Sequence, residues 1–217
     1  MPINIFVTSV VTIIIIILYC CKKKSEGLEL VPIRSKVDGN VYEVIGSYKD
    51  PHKAADLFAG VNRSAIKFLN HLKREYYINR DKDPDVIIKP ERHRDIVRRI
   101  VENYNYEELK ETNPTGKNGT SYTIEKGESV YMCLRSKETL DFQDENTILF
   151  VFLHELAHVG NKEWQHTEIY WRIFKFVLSE AVRAGIYKSV DYKLYPIQYC
   201  GLSIDYNPLE DPNLLMP

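Results

Sequence analysis

His154-Glu155-Leu156-Ala157-His158 sets two imidazoles four residues apart, with a carboxylate beside the first. On a helix, positions four apart lie one turn above each other, so both rings project from one face. Two neutral imidazoles at that separation can ligate one Zn²⁺. Glu155 then lies close enough to take a proton from water at the metal. The residues just ahead, Ile148, Leu149, Phe150, Val151, Phe152 and Leu153, form an unbroken apolar run that suits the buried start of such a helix.

A catalytic zinc needs a third protein ligand and an open position. Gly160 gives the motif helix a stop, a short polar loop follows, and His166 stands where the next helix begins. Reversal of the chain in that loop brings His166 back towards His154 and His158, which makes it the preferred third ligand. Glu168, a turn or less further on, and Glu180, on the following helix, are the alternatives. The metzincin continuation H-E-x-x-H-x-x-G-x-x-H is absent, because Asn161 and Trp164 stand where it requires Gly and His.

The motif followed by His166-Thr167-Glu168-Ile169-Tyr170-Trp171 resembles the WLM group of zinc metallopeptidases, which are related to the SprT/Spartan proteases. Versions encoded by large DNA viruses are especially similar, through Cys133-Leu134-Arg135 upstream and Tyr199-Cys200-Gly201 downstream. The resemblance covers residues 50–208. It implies an α+β fold, a compact gluzincin-like zincin domain, with three His ligands falling on His154, His158 and His166. It also implies a protein or peptide substrate. The chemistry then expected is attack of zinc-activated water on a peptide carbonyl, with Glu155 as the general base that later protonates the leaving amine. Residues 131–134, with Tyr131 and Cys133, are the expected edge strand for an extended substrate. Tyr199 is the candidate oxyanion donor, with ordinary packing as its competing role. The alternative is a proteolytically inactive, zinc-stabilised structural or scaffold membrane protein, which would have no need of a base at Glu155.

Around the motif the chain suggests helices and a small antiparallel sheet. Asp50-Pro51 reads as an N-cap followed by proline at the first helical position, and Leu57, Val61, Ala65, Leu72 and Tyr76 continue at helical spacing to about residue 78. A second helix is expected over 90–104, with Ile96, Val97, Ile100 and Val101 inward. Its Arg92, His93, Arg94, Arg98 and Arg99 read as a solvated face. Glu107 to Glu111 suggest a short helical turn. Residues 121–124 and 129–135 read as a hairpin about the turn 125–128. Asp144 to Thr147 offer caps for the motif helix, a further helix is expected over 167–184, and a strand near 199–204.

Residues 1–21 read as a transmembrane anchor. No charged side chain occurs from Ile3 to Cys21, and that length of helix rises about 28 Å, close to the hydrocarbon thickness. No basic residue precedes the apolar block, and no small-x-small cleavage site follows it, which disfavours a signal peptide. Lys22, Lys23 and Lys24 after the span place the following domain on the cytoplasmic side, with Cys20 and Cys21 as candidate palmitoylation sites. Residues 22–48 read as a basic juxtamembrane segment and linker with one short strand at 41–45, and 49–217 as the metallopeptidase domain. The sequons at Asn62 and Asn118 would be usable only on the lumenal side. Of the 4 cysteines only Cys133 and Cys200 fall within the domain, which is no disulfide framework and suits a reducing compartment, with one buried disulfide left open as the alternative. A net charge of −1 over 217 residues gives no reason to expect a nucleic-acid partner, and no feature sets an oligomeric state.

Overall fold

The computed structural model describes residues 28–77, 89–116 and 119–217. The expected anchor at 1–21, Lys22 to Lys24, Cys20, Cys21 and Asn118 lie outside the described residues. Among the described residues no helix is long and apolar enough to cross a membrane.

In chain order the elements are β1 (Leu30–Arg34), β2 (Val41–Ile45), α1 (Pro51–Tyr76), α2 (Glu91–Asn103), β3 (Leu109–Glu111), β4 (Tyr122–Ile124), β5 (Ser129–Met132), α3 (Glu145–Gly160), α4 (Glu168–Arg183), β6 (Ile197–Tyr199) and β7 (Leu202–Ile204). Strands β1 to β5 form one sheet in the order β1-β2-β3-β5-β4. The outer pairs β1–β2 and β4–β5 are antiparallel, while β3 runs parallel to both β2 and β5. The α+β class holds, but the sheet is mixed rather than antiparallel.

The difference lies in residues 107–111, of which Leu109–Glu111 form a central strand and not a helical turn. Their alternating charges suit a helix, yet Leu109 and Glu111 are buried and Glu111 serves as an internal bracket. Its carboxylate accepts from the Ile45 amide at 2.8 Å and from Arg135 Nε at 2.8 Å. Burial raises the Glu111 carboxyl pKa, with those two donors pulling it back down. An ion pair so deep costs desolvation, and its partners compensate by satisfying it geometrically. Strands β1 and β2 also belong to this sheet, so the folded unit reaches back to about residue 28 and takes in much of the segment expected as linker.

The helices pack on the sheet and on one another around one core. The buried face of α1 carries Phe58, Val61, Phe68 and Leu72, and Pro51 occupies its first turn. Asp50 does not cap this helix with its side chain; it sits in the left-handed region at φ 56°. Helix α3 is apolar almost all round because α2, α4 and the sheet enclose it. The Asp144 carboxylate caps it by accepting from the Thr147 amide at 3.1 Å. At its other end Gly160 does more than stop a helix. A Cβ there would meet Ile96 and Ile100 side-chain carbons at 3.1 Å, so glycine permits the close approach of α2 to α3.

After α4 the chain returns as the hairpin β6–β7, turned by Cys200 and Gly201, both at positive φ. Cys133, just past β5, is joined to Cys200 in a disulfide that closes 67 residues of sequence. The cysteines therefore take the alternative left open by their number, one buried disulfide, rather than staying as thiols. They fasten the hairpin to the end of β5.

Candidate metal centre

A helix and the loop that follows it converge on one cluster. Helix α3 carries His154 and His158 on one face, and His166 stands in the loop two residues ahead of α4. His158 Nε2 lies 3.0 Å from His166 Nε2, which lies 3.1 Å from His154 Nε2. All three donor atoms fall within 4.8 Å of one another. Tetrahedral ligands about 2.0 to 2.1 Å from zinc stand roughly 3.3 Å apart, so the donor set fits one such ion. The rings also have the right charge state. Burial first, then its two neighbours, hold His154 well below the ordinary imidazole range. Burial, His166 and Lys126 push His158 down to about 4, and burial lowers His166. Neutral imidazoles are the form that ligates metal.

Glu155 is buried beside the cluster. Burial raises its carboxyl to about 7, while the hydrogen bond from Thr123 pulls the other way. Thr123 Oγ1 donates to Glu155 Oε2 at 2.7 Å. The cluster opens into a cavity of about 520 Å³ whose walls include His154, Glu155, His158, His166, Tyr122 and Thr123.

Several supporting residues escaped the sequence. Tyr170, one turn into α4, is fully buried against the cluster. Its ring stacks on His158 at 4.3 Å and meets His166 edge-on at 4.6 Å and His154 at 5.2 Å. Its hydroxyl donates to the His154 carbonyl at 3.2 Å. Its place in the first turn of the helix that follows His166 was the available signal, because that turn must pack beside the ligand that precedes it. Lys126, in the β4–β5 turn, donates to the carbonyls of His158 and Glu163 and lies 4.2 Å over the Trp164 ring. It thereby ties the hairpin turn to the loop that delivers His166.

The other expected site residues are placed elsewhere. Glu180 is buried between α1 and α4, taken up by His71 Nε2 at 2.8 Å, Tyr76 hydroxyl at 3.0 Å and Arg183 at 2.7 Å, so it is not a ligand. Glu168 is exposed and pairs with Arg172 along the helix. Tyr131 lies on β5, which is flanked by β3 and β4 and so is no edge; its ring stacks on Tyr122 at 4.7 Å. Among the described residues the outermost strand beside the cluster is β4. Cys133 is locked in the disulfide and buried. The Tyr199 ring lines the cavity, but its hydroxyl donates to the Cys133 carbonyl at 2.6 Å and receives Ser121 Oγ at 2.8 Å, so packing is its role.

Residues 65–193, more than half of the chain, match the WLM domain. The chain belongs to the WLM domain family. Its relatives include an uncharacterized protein of Acanthamoeba polyphaga mimivirus, 44% identical over 102 residues, which are 47% of this chain and 51% of that protein. An uncharacterized protein of Invertebrate iridescent virus 6 is 37% identical over 82 residues, 37% of this chain and 44% of the relative. One of Invertebrate iridescent virus 3 is 35% identical over 82 residues, 38% of this chain and 50% of the relative. The resemblance to the versions of large DNA viruses therefore stands, and the chain spans about half the length of these curated relatives. No solved structure matches. The matched WLM segment contains His154, Glu155, His158 and His166, and also Tyr170 and Thr123.

Proposed function

We propose that this WLM protein is a zinc-dependent metalloendopeptidase. The observation that carries the reading is the convergence of three neutral imidazoles, a buried carboxylate and the outermost strand β4 on one open cavity. His154, His158 and His166 would hold the ion. Bound zinc would supply Lewis acidity, polarising a carbonyl and making water more acidic at neutral pH. Glu155 takes the proton of the attacking water and passes it to the leaving amine. A carboxyl raised towards neutrality by burial is suited to both directions of transfer. Thr123 fixes one carboxylate oxygen, so the base meets substrate in a single orientation. An extended peptide adds alongside β4, the outermost strand of the sheet order, whose Tyr122 and Thr123 line the cavity.

The test is cleavage of a reduced, unfolded protein by the wild type and by Glu155→Gln. Wild-type cleavage lost in the variant, with zinc content kept, is the expected result. Equal cleavage by both proteins removes Glu155 from the mechanism.

The same proposal includes an anchor at residues 1–21 with the domain on the cytoplasmic face, supported by the uncharged run and by Lys22 to Lys24. The disulfide pulls the other way, since such bonds persist mainly in oxidising compartments. Asn62 cannot report on this, because it is buried and its amide donates to the Tyr42 hydroxyl at 3.0 Å. Asn118 remains, and a mobility shift on deglycosylation would place the domain in the lumen.

A further inference from the structure

The two ends of the cavity differ in chemistry. Beyond His158 the cavity meets the clasp of Lys126 and Trp164. Towards the start of α3 the walls turn apolar. Phe150 and Val151 lie one turn before His154, on the face that the ligand shares. Phe174 closes the α4 side, its ring 5.2 Å from that of His154. The chain after α4 supplies the remaining lining: Tyr199, Leu202 and Ile204 of the hairpin β6–β7, with Ser203, Asp205 and Tyr206 beside them. Leu202 and Ile204, two apart on β7, lie on one face of that strand. Leu202 is 54% exposed although it lines this cavity, an apolar side chain that the core does not cover.

The hairpin is held rigidly in place. The Cys133–Cys200 disulfide fixes its turn, and the Tyr199 hydroxyl bonds to Cys133 and Ser121 behind it. A wall built this way has a defined position relative to His154. A peptide lying along β4 points alternate side chains to opposite faces, so one of the two residues flanking the cleaved bond must face α3.

We propose that this chamber is the specificity pocket of the enzyme and takes a bulky apolar side chain, leucine or phenylalanine in size, next to the scissile bond. The proposal rests on the peptidase reading. Filling the chamber removes apolar surface from water on the ligand and on Phe150, Val151, Phe174 and Leu202 together. An isobutyl or benzyl group is then favoured over methyl by roughly tenfold or more.

The experiment measures binding to the zinc-loaded protein of three peptide hydroxamates that differ only in one side chain: methyl, benzyl and carboxymethyl. Hydroxamate supplies a common metal-binding group, so the comparison reads the chamber without requiring turnover. The benzyl compound is expected to bind about tenfold or more tightly than the methyl compound, and the carboxymethyl compound most weakly. Leu202→Asp should bring the benzyl and methyl affinities together at unchanged zinc content and thermal midpoint; its exposed position makes a folding defect easy to separate. Equal affinities in the wild type overturn the chamber and leave the peptidase reading standing. An unchanged preference in Leu202→Asp overturns the hairpin as its wall. Binding of none of the three overturns the peptidase reading and the chamber with it.

Discussion

Glu155→Gln should make the metal-free protein more stable at pH 8 and almost unchanged at pH 5. The carboxyl of Glu155 has its pKa at about 7 in the fold against an ordinary 4.5 in the unfolded chain. Below 4.5 the carboxyl is protonated in both states and folding is indifferent to it. Between 4.5 and 7 the unfolded chain ionises first, so the folded state loses ground as pH rises. Above 7 both are ionised and the full cost is present, about 3 kcal/mol at ~1.4 kcal/mol per pH unit between the two values. At pH 5 less than about 1 kcal/mol of it has developed. Glutamine has the same shape without the charge, and its carbonyl can still accept from Thr123. The three imidazoles are common to both proteins and cancel in the difference. Urea denaturation of wild type and variant, each stripped of metal, at pH 8 and pH 5 reads the effect directly. A gain of roughly 2 to 3 kcal/mol at pH 8, shrinking at pH 5, is expected. An equal change at both pH values, or a variant less stable at pH 8, would refute the claim that burial of this carboxylate is a cost to the fold.

His158→Ala should lower bound zinc from about one ion per chain, by elemental analysis; full occupancy in the variant rejects the ligand assignment. Tyr170→Leu should weaken zinc binding by about tenfold in a chelator competition, because the ring that steadies all three imidazoles is gone. Tyr170→Phe keeps the ring and should cost only about 1 kcal/mol of stability, for one hydrogen bond; zinc affinity equal to wild type in the Leu variant would end the positioning role. Cys200→Ser removes a cross-link spanning 67 residues and should cost about 4 kcal/mol in urea denaturation. Oxidised wild type no more stable than the variant would show that the hairpin is held by packing alone.

The ligands were legible in the sequence because their geometry is local. Helical spacing alone sets His154 over His158, and the short loop after Gly160 leaves His166 little freedom in where it returns. The four long helices were legible for a similar reason, their apolar stripes being periodic over several turns. What failed was whatever depends on partners far away in the chain. Strand β3 is three residues long with two glutamates near it, and only its burial between β2 and β5 makes it a strand. Without β3, nothing local to residues 122–132 marks β5 as an inner strand, which is why residues 131–134 read as an edge. Once β3 occupies the outer side of β5, the edge facing the cavity can only be β4. Glu180 misled in the same manner: a buried acid on the following helix has the look of a ligand, but His71 and Tyr76 on α1 claim it from more than a hundred residues away.

The electrostatics of the cluster follow one rule. Burial disfavours charge, so it pushes His154, His158 and His166 down and Glu155 up. Near pH 7 the three rings are therefore neutral, while Glu155 is poised at its midpoint. No buried cation among the described residues offsets Glu155: Thr123 gives it a hydroxyl, and Lys126 is directed to main-chain carbonyls instead. A divalent ion held by the imidazoles would bring positive charge next to this carboxylate, whose partner is a neutral hydroxyl, and would favour its ionised form. Ligand neutrality and base ionisation are then coupled through a single binding event. That coupling requires Glu155 to stand beside the histidines without joining them, and its hydrogen bond from Thr123 on β4 keeps it there.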